Sequence, residues 1–250
     1  MFIEKWYADI VDDDAVQIIY RANLHLGPLT MGYRSRLSQG RLSTTNVGIY
    51  GTTMPEVIDT VVRWPTEVNE PAIAWRGVAS RPKELWRSGN DVITWDPLVL
   101  NGGVSVAGCC RSARGYVERL TMNFKPWDLG LKKLKWGRFC GSKHSLVWIE
   151  WEGRIPNKLA LLDGVAEPLL EASRMSIRTQ QVHLAMYEPK EIVSEPIGTG
   201  ALKALGLLRL FAARQFLSGI ETKWIAKGVL SCPGVEEDQG VVVYEEVLWA

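Results

Sequence analysis

Three residues that could do chemistry lie on the segment His144–Glu150. In an extended strand alternate side chains point to the same side, so His144, Trp148 and Glu150 share one face. The imidazole or the carboxylate could transfer a proton, and the indole could stabilise positive charge in an unsaturated substrate. In the alternative arrangement, His144 and Glu150 face solvent. Strand alternation alone leaves both arrangements open.

A second acidic candidate, Asp9, lies near the N-terminus in the run Trp6-Tyr7-Ala8-Asp9. Alternation places Asp9 and Tyr7 on one face of a strand and Trp6 on the other. An acid enclosed in an apolar barrel has a raised pKa and can act as a general acid. Tyr7 and Trp6 would then line the substrate site. The alternative is an outward-facing Asp9 in a salt bridge.

The tripeptide Trp136-Gly137-Arg138 offers a binding group rather than a proton donor. A guanidinium forms paired hydrogen bonds with planar oxygen groups, so Arg138 could hold a carboxylate, a tetramate or another enolic head group. It could equally be a structural cation stacked on a Trp. Tyr244, in the last apolar run, has the same two interpretations. Trp136 and Trp148 are the aromatic residues that we expect beside these groups.

Several classes of protein are disfavoured by the sequence. A net charge of +1 gives no global reason to expect nucleic acid as a partner. No HExxH, Walker-type, GxSxG or GxGxxG motif occurs, and the three histidines are scattered, so no metal or other cofactor is implied. The four cysteines form no CxxC pair and the N-terminus shows no secretory signal, which indicates a cytoplasmic protein.

The elements that must position these residues read as a succession of β-strands. Short apolar runs alternate with turn-forming clusters, and Asn101-Gly102-Gly103 between two such runs predicts a tight hairpin. The run Pro126–Gly130 predicts a junction between an N-terminal half, residues 1–125, and a C-terminal half, residues 126–250. We therefore expect an all-β fold of two halves packed together.

One helix interrupts this pattern. Residues 201–216 place leucines on one side and charges on the other, with Thr199 available as the N-cap. The helix could pack across a barrel opening. It could instead act as a lid or touch a membrane transiently to admit a lipophilic substrate.

Residues 4–10, residues 134–139 followed by 144–148, and the closing run 240–249 carry a family resemblance. They resemble the lipocalin-like superfamily of bacterial carotenoid 1,2-hydratases, AttH-like proteins and cofactor-free natural-product Diels–Alderases and cyclases. The resemblance implies two β-barrel or sandwich halves with a ligand site inside a barrel or between the halves. It implies no single reaction. Trp148 follows His144 by four residues rather than the two of a His-x-Trp hydratase signature, which favours cyclisation over hydration.

These observations lead to three functional hypotheses. The first is a cofactor-independent cyclase that folds a hydrophobic polyene, of polyketide or isoprenoid origin, in a cavity lined by some of the 11 tryptophans. The second is hydration or isomerisation of an isoprenoid double bond, with Asp9, His144 or Glu150 as the acid. The third is a non-catalytic intracellular carrier of a lipid or pigment. The sequence predicts no oligomeric state.

Overall fold

A computed structural model describes residues 1–12, 15–38, 41–48, 50–66, 71–77, 81–197, 218–234 and 236–249, with the backbone alone for 41–47 and 111. Nearly all of the regular structure in these residues is antiparallel β-strand, which confirms the all-β prediction. The helix predicted over 201–216, with its cap Thr199, lies outside the described residues. A single 3-10 turn, Pro126–Leu129, separates the strands of two compact units.

The first unit, Met1–Asp128, contains ten strands. They pair in the order β4-β3-β2-β1-β10-β9-β7-β6-β5, with β8 added to β9. Their bounds are β1 (Phe2–Asp12), β2 (Ala15–Leu26), β3 (Leu29–Ser38), β4 (Arg41–Gly48), β5 (Glu56–Ile58), β6 (Val61–Trp64), β7 (Ile73–Arg76), β8 (Lys83–Ser88), β9 (Asp91–Val106) and β10 (Cys109–Met122).

Strand β1 is buried on both faces. Trp6, Ala8 and Ile10 point into an apolar core that also contains Trp64 and Trp75. The residues between them point to the other side and are buried as well, Tyr7 at 3% and Asp9 at 0% exposure. The unit therefore has a polar buried layer on the face opposite to its apolar core.

The hairpin predicted at Asn101-Gly102-Gly103 is wrong, because these residues lie within β9. The chain reverses instead at Ala107-Gly108, where both residues have positive φ, 51° and 81°, as a two-residue hairpin turn requires. Gly102 serves a different purpose, since a Cβ there would lie 2.5 Å from the carbonyl oxygen of Arg76. Glycine inside a strand often marks such a close approach.

The second unit contains nine strands in residues 129–197 and 218–249. Their order is β14-β13-β12-β11-β19-β18-β17-β16-β15, and β13 also lies against β15, so the sheet curls round a common core. Their bounds are β11 (Lys133–Gly141), β12 (Ser145–Glu152), β13 (Asn157–Leu162), β14 (Val165–Glu167), β15 (Leu169–Ala172), β16 (Ser176–Thr179), β17 (His183–Pro196), β18 (Ile220–Ser231) and β19 (Asp238–Leu248).

Candidate functional site

A row of alternating charges crosses four neighbouring strands of the second unit. The strand register places Lys158 opposite Glu150, Glu150 opposite Lys135, and Lys135 opposite Glu246. We call these four residues the charged row. Directly opposed residues of antiparallel strands share a face, so all four lie on the face that encloses the apolar core.

The Glu150 carboxylate is held by two lysines. Its Oε1 lies 2.6 Å from Nζ of Lys158 and its Oε2 lies 3.1 Å from Nζ of Lys135. Burial raises the pKa of Glu150, but the hydrogen bonds and charges of the two lysines outweigh it, and the pKa falls below its usual range. Glu150 is therefore held as the carboxylate, which favours an electrostatic role over proton donation.

Glu246, at the other end of the charged row, is also doubly paired. Its carboxylate lies 2.7 Å from Nζ of Lys133 and 3.0 Å from the Arg174 guanidinium. Burial raises the pKa of Glu246, and the two cations outweigh that effect and lower it. Both carboxylates of the row are thus neutralised by fixed cations.

Two positions deeper along the strands, an aromatic row lies beneath the charged row. It consists of Trp148, Tyr244 and Trp224, and Gly137 stands between Trp148 and Tyr244 in the register. The rings of Trp224 and Tyr244 are stacked, with centroids 5.1 Å apart and planes 17° from parallel. The three side chains are buried, at 1%, 5% and 7% exposure, so the aromatic row offers a ligand little ring surface.

A small cleft lies between the two rows, with an enclosed volume of about 20 Å³. That is room for about one water molecule, so the cleft suits a single polar substituent of a ligand. Seven residues line it, namely Lys135, Trp148, Ser173, Arg174, Tyr244, Glu245 and Glu246.

The Tyr244 phenol is the neutral hydrogen-bond donor of this pocket. Its hydroxyl donates to the carbonyl oxygen of Arg174 across 3.3 Å, a long and therefore weak bond. Burial raises the pKa of Tyr244 to about 12, with Arg174 opposing and Glu246 adding to the shift. The phenol therefore keeps its proton at neutral pH and can turn to a ligand oxygen.

The turn between β15 and β16 closes one side of the pocket. The guanidinium of Arg174 lies 4.9 Å from the ring centroid of Trp224, and Lys135 donates to the carbonyl oxygen of Ala172. The Ser173 hydroxyl accepts from the amide of Ser176 at 3.0 Å and tightens the turn. Groups that line the pocket thus also hold the turn in place.

Trp136 and Arg138 lie on the opposite face of β11. Both are buried, at 4% and 0% exposure, on the same side as Lys223 and Glu245. Lys223 is bound to Glu245 and lies 2.8 Å from Glu221. Burial alone would lower the pKa of Lys223, but the two carboxylates outweigh the effect of burial, and the pKa is raised. The structure separates Trp136 and Arg138 from the pocket, whereas Trp148 and Tyr244 both line it.

His144 lies outside β12, in the turn that precedes it. Its Nδ1 is 2.8 Å from a carboxylate oxygen of Asp163, and the two side chains are partly exposed, at 31% and 45%. The six residue steps from His144 to Glu150 span about 20 Å of extended chain. His144 and Glu150 therefore do not share one site, whereas Glu150 and Trp148 share a face, as the alternation predicts.

In the first unit, Tyr7 and Asp9 belong to a buried cluster with Tyr116 and Glu118, here called the carboxylate–tyrosine cluster. The Asp9 carboxylate accepts from the hydroxyl of Tyr7 at 3.0 Å and from the amide of Tyr116 at 3.1 Å. Glu118 accepts from the hydroxyl of Tyr116 at 2.7 Å and from the indole of Trp95 at 2.5 Å. Both carboxylates act as acceptors in these bonds.

Burial dominates the titration of Tyr116 in this cluster. It raises the pKa of the phenol well above 10, and the neighbouring Glu118, Tyr7 and Asp9 raise it further. Trp6 lies on the other face of β1, where its indole donates to Glu4 at 2.8 Å and Arg119 lies over its ring. The structure thus keeps Tyr7 and Asp9 together and places Trp6 in the apolar core.

Sequence reasoning missed Lys135, Arg174 and Trp224. Lys135 shares the period-two alternation of β11, but its position opposite Glu150 depends on a strand register that the sequence does not state. Arg174 lies in the short turn Ser173-Arg174-Met175-Ser176. Serine hydroxyls often bond to the backbone of a turn, so the two serines were the sequence signal for a tight turn. Among the described residues, no three His, Cys, Asp or Glu side chains group as metal ligands, and no helix is long and apolar enough to cross a membrane.

No family model and no curated protein matches this sequence. Among solved structures, CghA with Sch210972 has a TM-score of 0.61 at 8% identity, covering 100% of this chain and 89% of CghA. A second CghA structure has a TM-score of 0.62 at 8% identity, covering 100% and 88%. Kievitone hydratase from Nectria haematococca has a TM-score of 0.55 at 10% identity, covering 98% of this chain and 89% of its own. The chain therefore has the lipocalin-like fold that its sequence resemblance implies.

Proposed function

We propose that this protein is a cofactor-independent enzyme that cyclises a small, unsaturated organic compound bound in the pocket of the second unit. The observation that carries the proposal is the meeting of Trp148 and Tyr244 in that pocket, where an indole lies beside a neutral phenol donor. Such a site can donate a hydrogen bond to an oxygen substituent of an unsaturated substrate. No nucleophile is needed for a reaction of this kind.

The rate gain would come mainly from geometry. A flexible polyene samples many conformers in water, and a wall that selects the reactive one removes much of the entropic part of the barrier. The phenol adds electrostatic stabilisation where negative charge develops on the oxygen during ring closure. The pocket would hold one oxygen substituent of the substrate, because it has room for little more than a single polar group.

The fold supports a small-molecule enzyme. CghA was crystallised with Sch210972, and kievitone hydratase is named for the hydration of an organic compound. We extend from these proteins only the class of ligand, a small organic molecule, and the two kinds of reaction. One fold can host many activities, so the choice between cyclisation and hydration must be argued from the residues of this chain.

A mass measurement separates the hypotheses. Purified protein would be incubated with linear polyenes that carry a conjugated ketone, and the products analysed by liquid chromatography and mass spectrometry. Cyclisation gives a new peak of unchanged mass with fewer double bonds, counted by NMR, isomerisation leaves both the mass and the number of double bonds unchanged, and hydration adds the mass of one water. Loss of the unchanged-mass product in Trp148→Ala supports the proposal, with Trp86→Ala as the control, a half-buried Trp of the first unit that packs on Phe124. Binding without any product indicates a carrier and contradicts it.

A second candidate function, hydration or isomerisation of a double bond, is favoured by the carboxylate–tyrosine cluster of the first unit. Proton transfer to an alkene needs an acid and a base within reach, and Tyr7 and Asp9 form such a pair at 3.0 Å. The test is Tyr7→Phe, which removes the hydroxyl and leaves the ring. If the product carries an added water and Tyr7→Phe abolishes it while ligand binding persists, hydration replaces cyclisation as the function.

A further inference from the structure

Two exposed arginines of the first unit flank a glycine on the outer face of its sheet. The strand register places Arg76 of β7 and Arg114 of β10 directly opposite Gly103 of β9, one on each side. Directly opposed residues share a face, and two strand spacings separate the two arginines, so their backbones lie about 10 Å apart. All three residues are exposed, on the side of the sheet that faces away from the apolar core.

The space above Gly103 is open. A Cβ atom at this position would have no heavy atom within 4 Å. Its neighbours on the same face are small as well, because Ser105 follows two positions along β9 and Ala74 lies opposite Ser105. Long side chains reach across a neighbouring strand, so the guanidinium groups of Arg76 and Arg114 can meet above the glycine. We call this arrangement, with its serine hydroxyl, the arginine site.

The charges around the arginine site are not balanced. Among the described residues, no hydrogen bond, ion pair or ring contact holds the guanidinium of Arg76 or of Arg114. A third exposed arginine, Arg63, lies nearby on β6, and the exposed Glu56 lies opposite it. The carboxylates of the carboxylate–tyrosine cluster, further along β10, are held by donors of their own. Like charges on one face repel each other, and a bound anion would relieve that repulsion.

We propose that Arg76 and Arg114 bind the phosphate group of a phosphate monoester above Gly103. A guanidinium presents paired N–H donors that match two phosphate oxygens, so the two arginines and the Ser105 hydroxyl supply donors for all three terminal oxygens. A phosphate monoester carries nearly two negative charges at neutral pH, which matches the two cations. A carboxylate has one charge and two oxygens and would leave donors unused. The arginine site belongs to the first unit and is independent of the function proposed for the second.

Phenyl phosphate and phenyl sulfate test the charge requirement, because the two anions have nearly the same shape and differ by about one charge at pH 7.5. Calorimetric titration of the full-length protein, in a low-salt buffer without phosphate, gives both affinities. Wild type should bind phenyl phosphate several-fold more tightly than phenyl sulfate, and added salt should weaken both, because the charges are exposed. The backbone amides of Gly103 and Ser105 should shift in NMR spectra of the same titration, which locates the bound anion.

Substitutions in the arginine site should weaken phosphate binding without disturbing the core. Arg76→Gln and Arg114→Gln should each weaken the binding of phenyl phosphate by about three- to ten-fold, as expected for the loss of exposed, charged hydrogen bonds. Gly103→Glu places a carboxylate between the two arginines and should abolish binding, whereas Gly103→Ala adds only a methyl group in open space and should retain it. Arg87→Gln is the matched control, because this exposed arginine of the same unit is paired with Glu84.

Vesicles that contain phosphatidic acid, which carries the same monoester on a lipid, distinguish the source of the phosphate. If wild type sediments with them and Arg76→Gln does not, the phosphate belongs to a lipid headgroup. If phenyl phosphate binds and no sedimentation occurs, the ligand is a soluble phosphate ester. Equal affinities of phenyl phosphate for wild type, Arg114→Gln and Gly103→Glu, or no shift at the amide of Gly103, would overturn the proposal. Single-stranded DNA that binds through Arg76 more tightly than phenyl phosphate would overturn it as well.

Discussion

The ring of Trp148 fills the space that a side chain at Gly137 would occupy. A Cβ atom at Gly137 would lie 2.2 Å from Cζ2 of Trp148. The two residues face each other across β11 and β12, so the indole covers the glycine. The position of Trp148 therefore depends on the absence of a side chain at one position of a neighbouring strand.

Gly137→Ala should displace Trp148 and distort the pocket. Overpacking a filled core costs typically about 1–3 kcal/mol, because neighbouring side chains leave their preferred rotamers. We expect a lower melting temperature, measured by calorimetry, together with less of the unchanged-mass product from the ketone-bearing polyenes. Gly103→Ala is the matched control, since a Cβ there would meet no atom within 4 Å. Equal effects of the two substitutions would contradict the assigned contact.

Tyr244→Phe should weaken binding of the ketone-bearing polyenes, because it removes the hydroxyl and keeps the stacked ring. The pH dependence gives a second check. The folded-state pKa of Tyr244 is about 12, above the ordinary value near 10, so the contribution of this phenol to stability is complete below pH 10. That contribution is lost as the pH rises from about 10 through 12.

The corresponding measurement is chemical denaturation at several alkaline pH values. Wild type should lose stability between pH 10 and about 12, and Tyr244→Phe should lose less over the same interval. Tyr50→Phe is a suitable control, because Tyr50 is 88% exposed and its ring is not part of the aromatic row. Binding of the ketone-bearing polyenes that is unchanged in Tyr244→Phe would remove the phenol from the proposed mechanism.

The glycines illustrate how far the sequence could predict the fold. Alternating apolar runs predict the strands and the all-β class because burial of one face enforces a period of two. The same local patterns do not distinguish a glycine in a turn from a glycine beneath another residue. Asn101-Gly102-Gly103 has a typical hairpin composition, yet Gly102 is needed for close approach to the Arg76 backbone.

The candidate site could be predicted in part for a similar reason. Trp148 and Glu150 share a face by alternation within one strand, and this is visible in the sequence. Whether Glu150 faces solvent or the barrel is decided by lysines on two other strands, at positions fixed by register. His144 departs from the alternation because the strand begins at Ser145, and the Asp238 carboxylate holds the preceding residues in a turn.

Asp9→Asn should destabilise the first unit. The Asp9 carboxylate is fully buried and accepts hydrogen bonds from Tyr7 and from the amide of Tyr116, so a substituted amide places N–H groups against one of these donors. The expected loss is about 1–3 kcal/mol of unfolding free energy, measured by urea denaturation. Asp12→Asn, at the exposed end of β1, should change stability by less than about 0.5 kcal/mol. Equal losses would argue against the buried cluster.

Arg174→Met should loosen the turn between β15 and β16. The substitution removes the ion pair with Glu246 and the cation over Trp224 and keeps the apolar stem. Hydrogen exchange should quicken at the amide of Ser173, which donates to the carbonyl oxygen of Ser176 across the turn. Arg178→Met, at an exposed pair on β16, is the control. Unchanged exchange at Ser173 would show that Arg174 does not hold the turn.

Asp238 should make the stability of the second unit depend on pH in the acidic range. Burial raises the pKa of its carboxyl, but hydrogen bonds from the amides of His144, Lys143 and Ser142 and from the Ser142 hydroxyl outweigh it, so the pKa is lowered. A lowered folded-state pKa gives stability that is present above the unfolded value, about 3.9, and is lost as the pH falls through the folded one.

Asp238→Asn should therefore be less stable than wild type at pH 7, by about 1–3 kcal/mol, and the difference should narrow below about pH 4 as the wild-type carboxyl takes up a proton. Urea denaturation from pH 7 down to pH 3 measures it. Glu236→Gln is the control, because it removes an exposed carboxylate paired with Lys143. This variant should show no large stability difference from wild type at pH 7 that narrows toward pH 3. A stability difference that stays constant down to pH 3 would mean that Asp238 does not hold the turn before β12 through its charge.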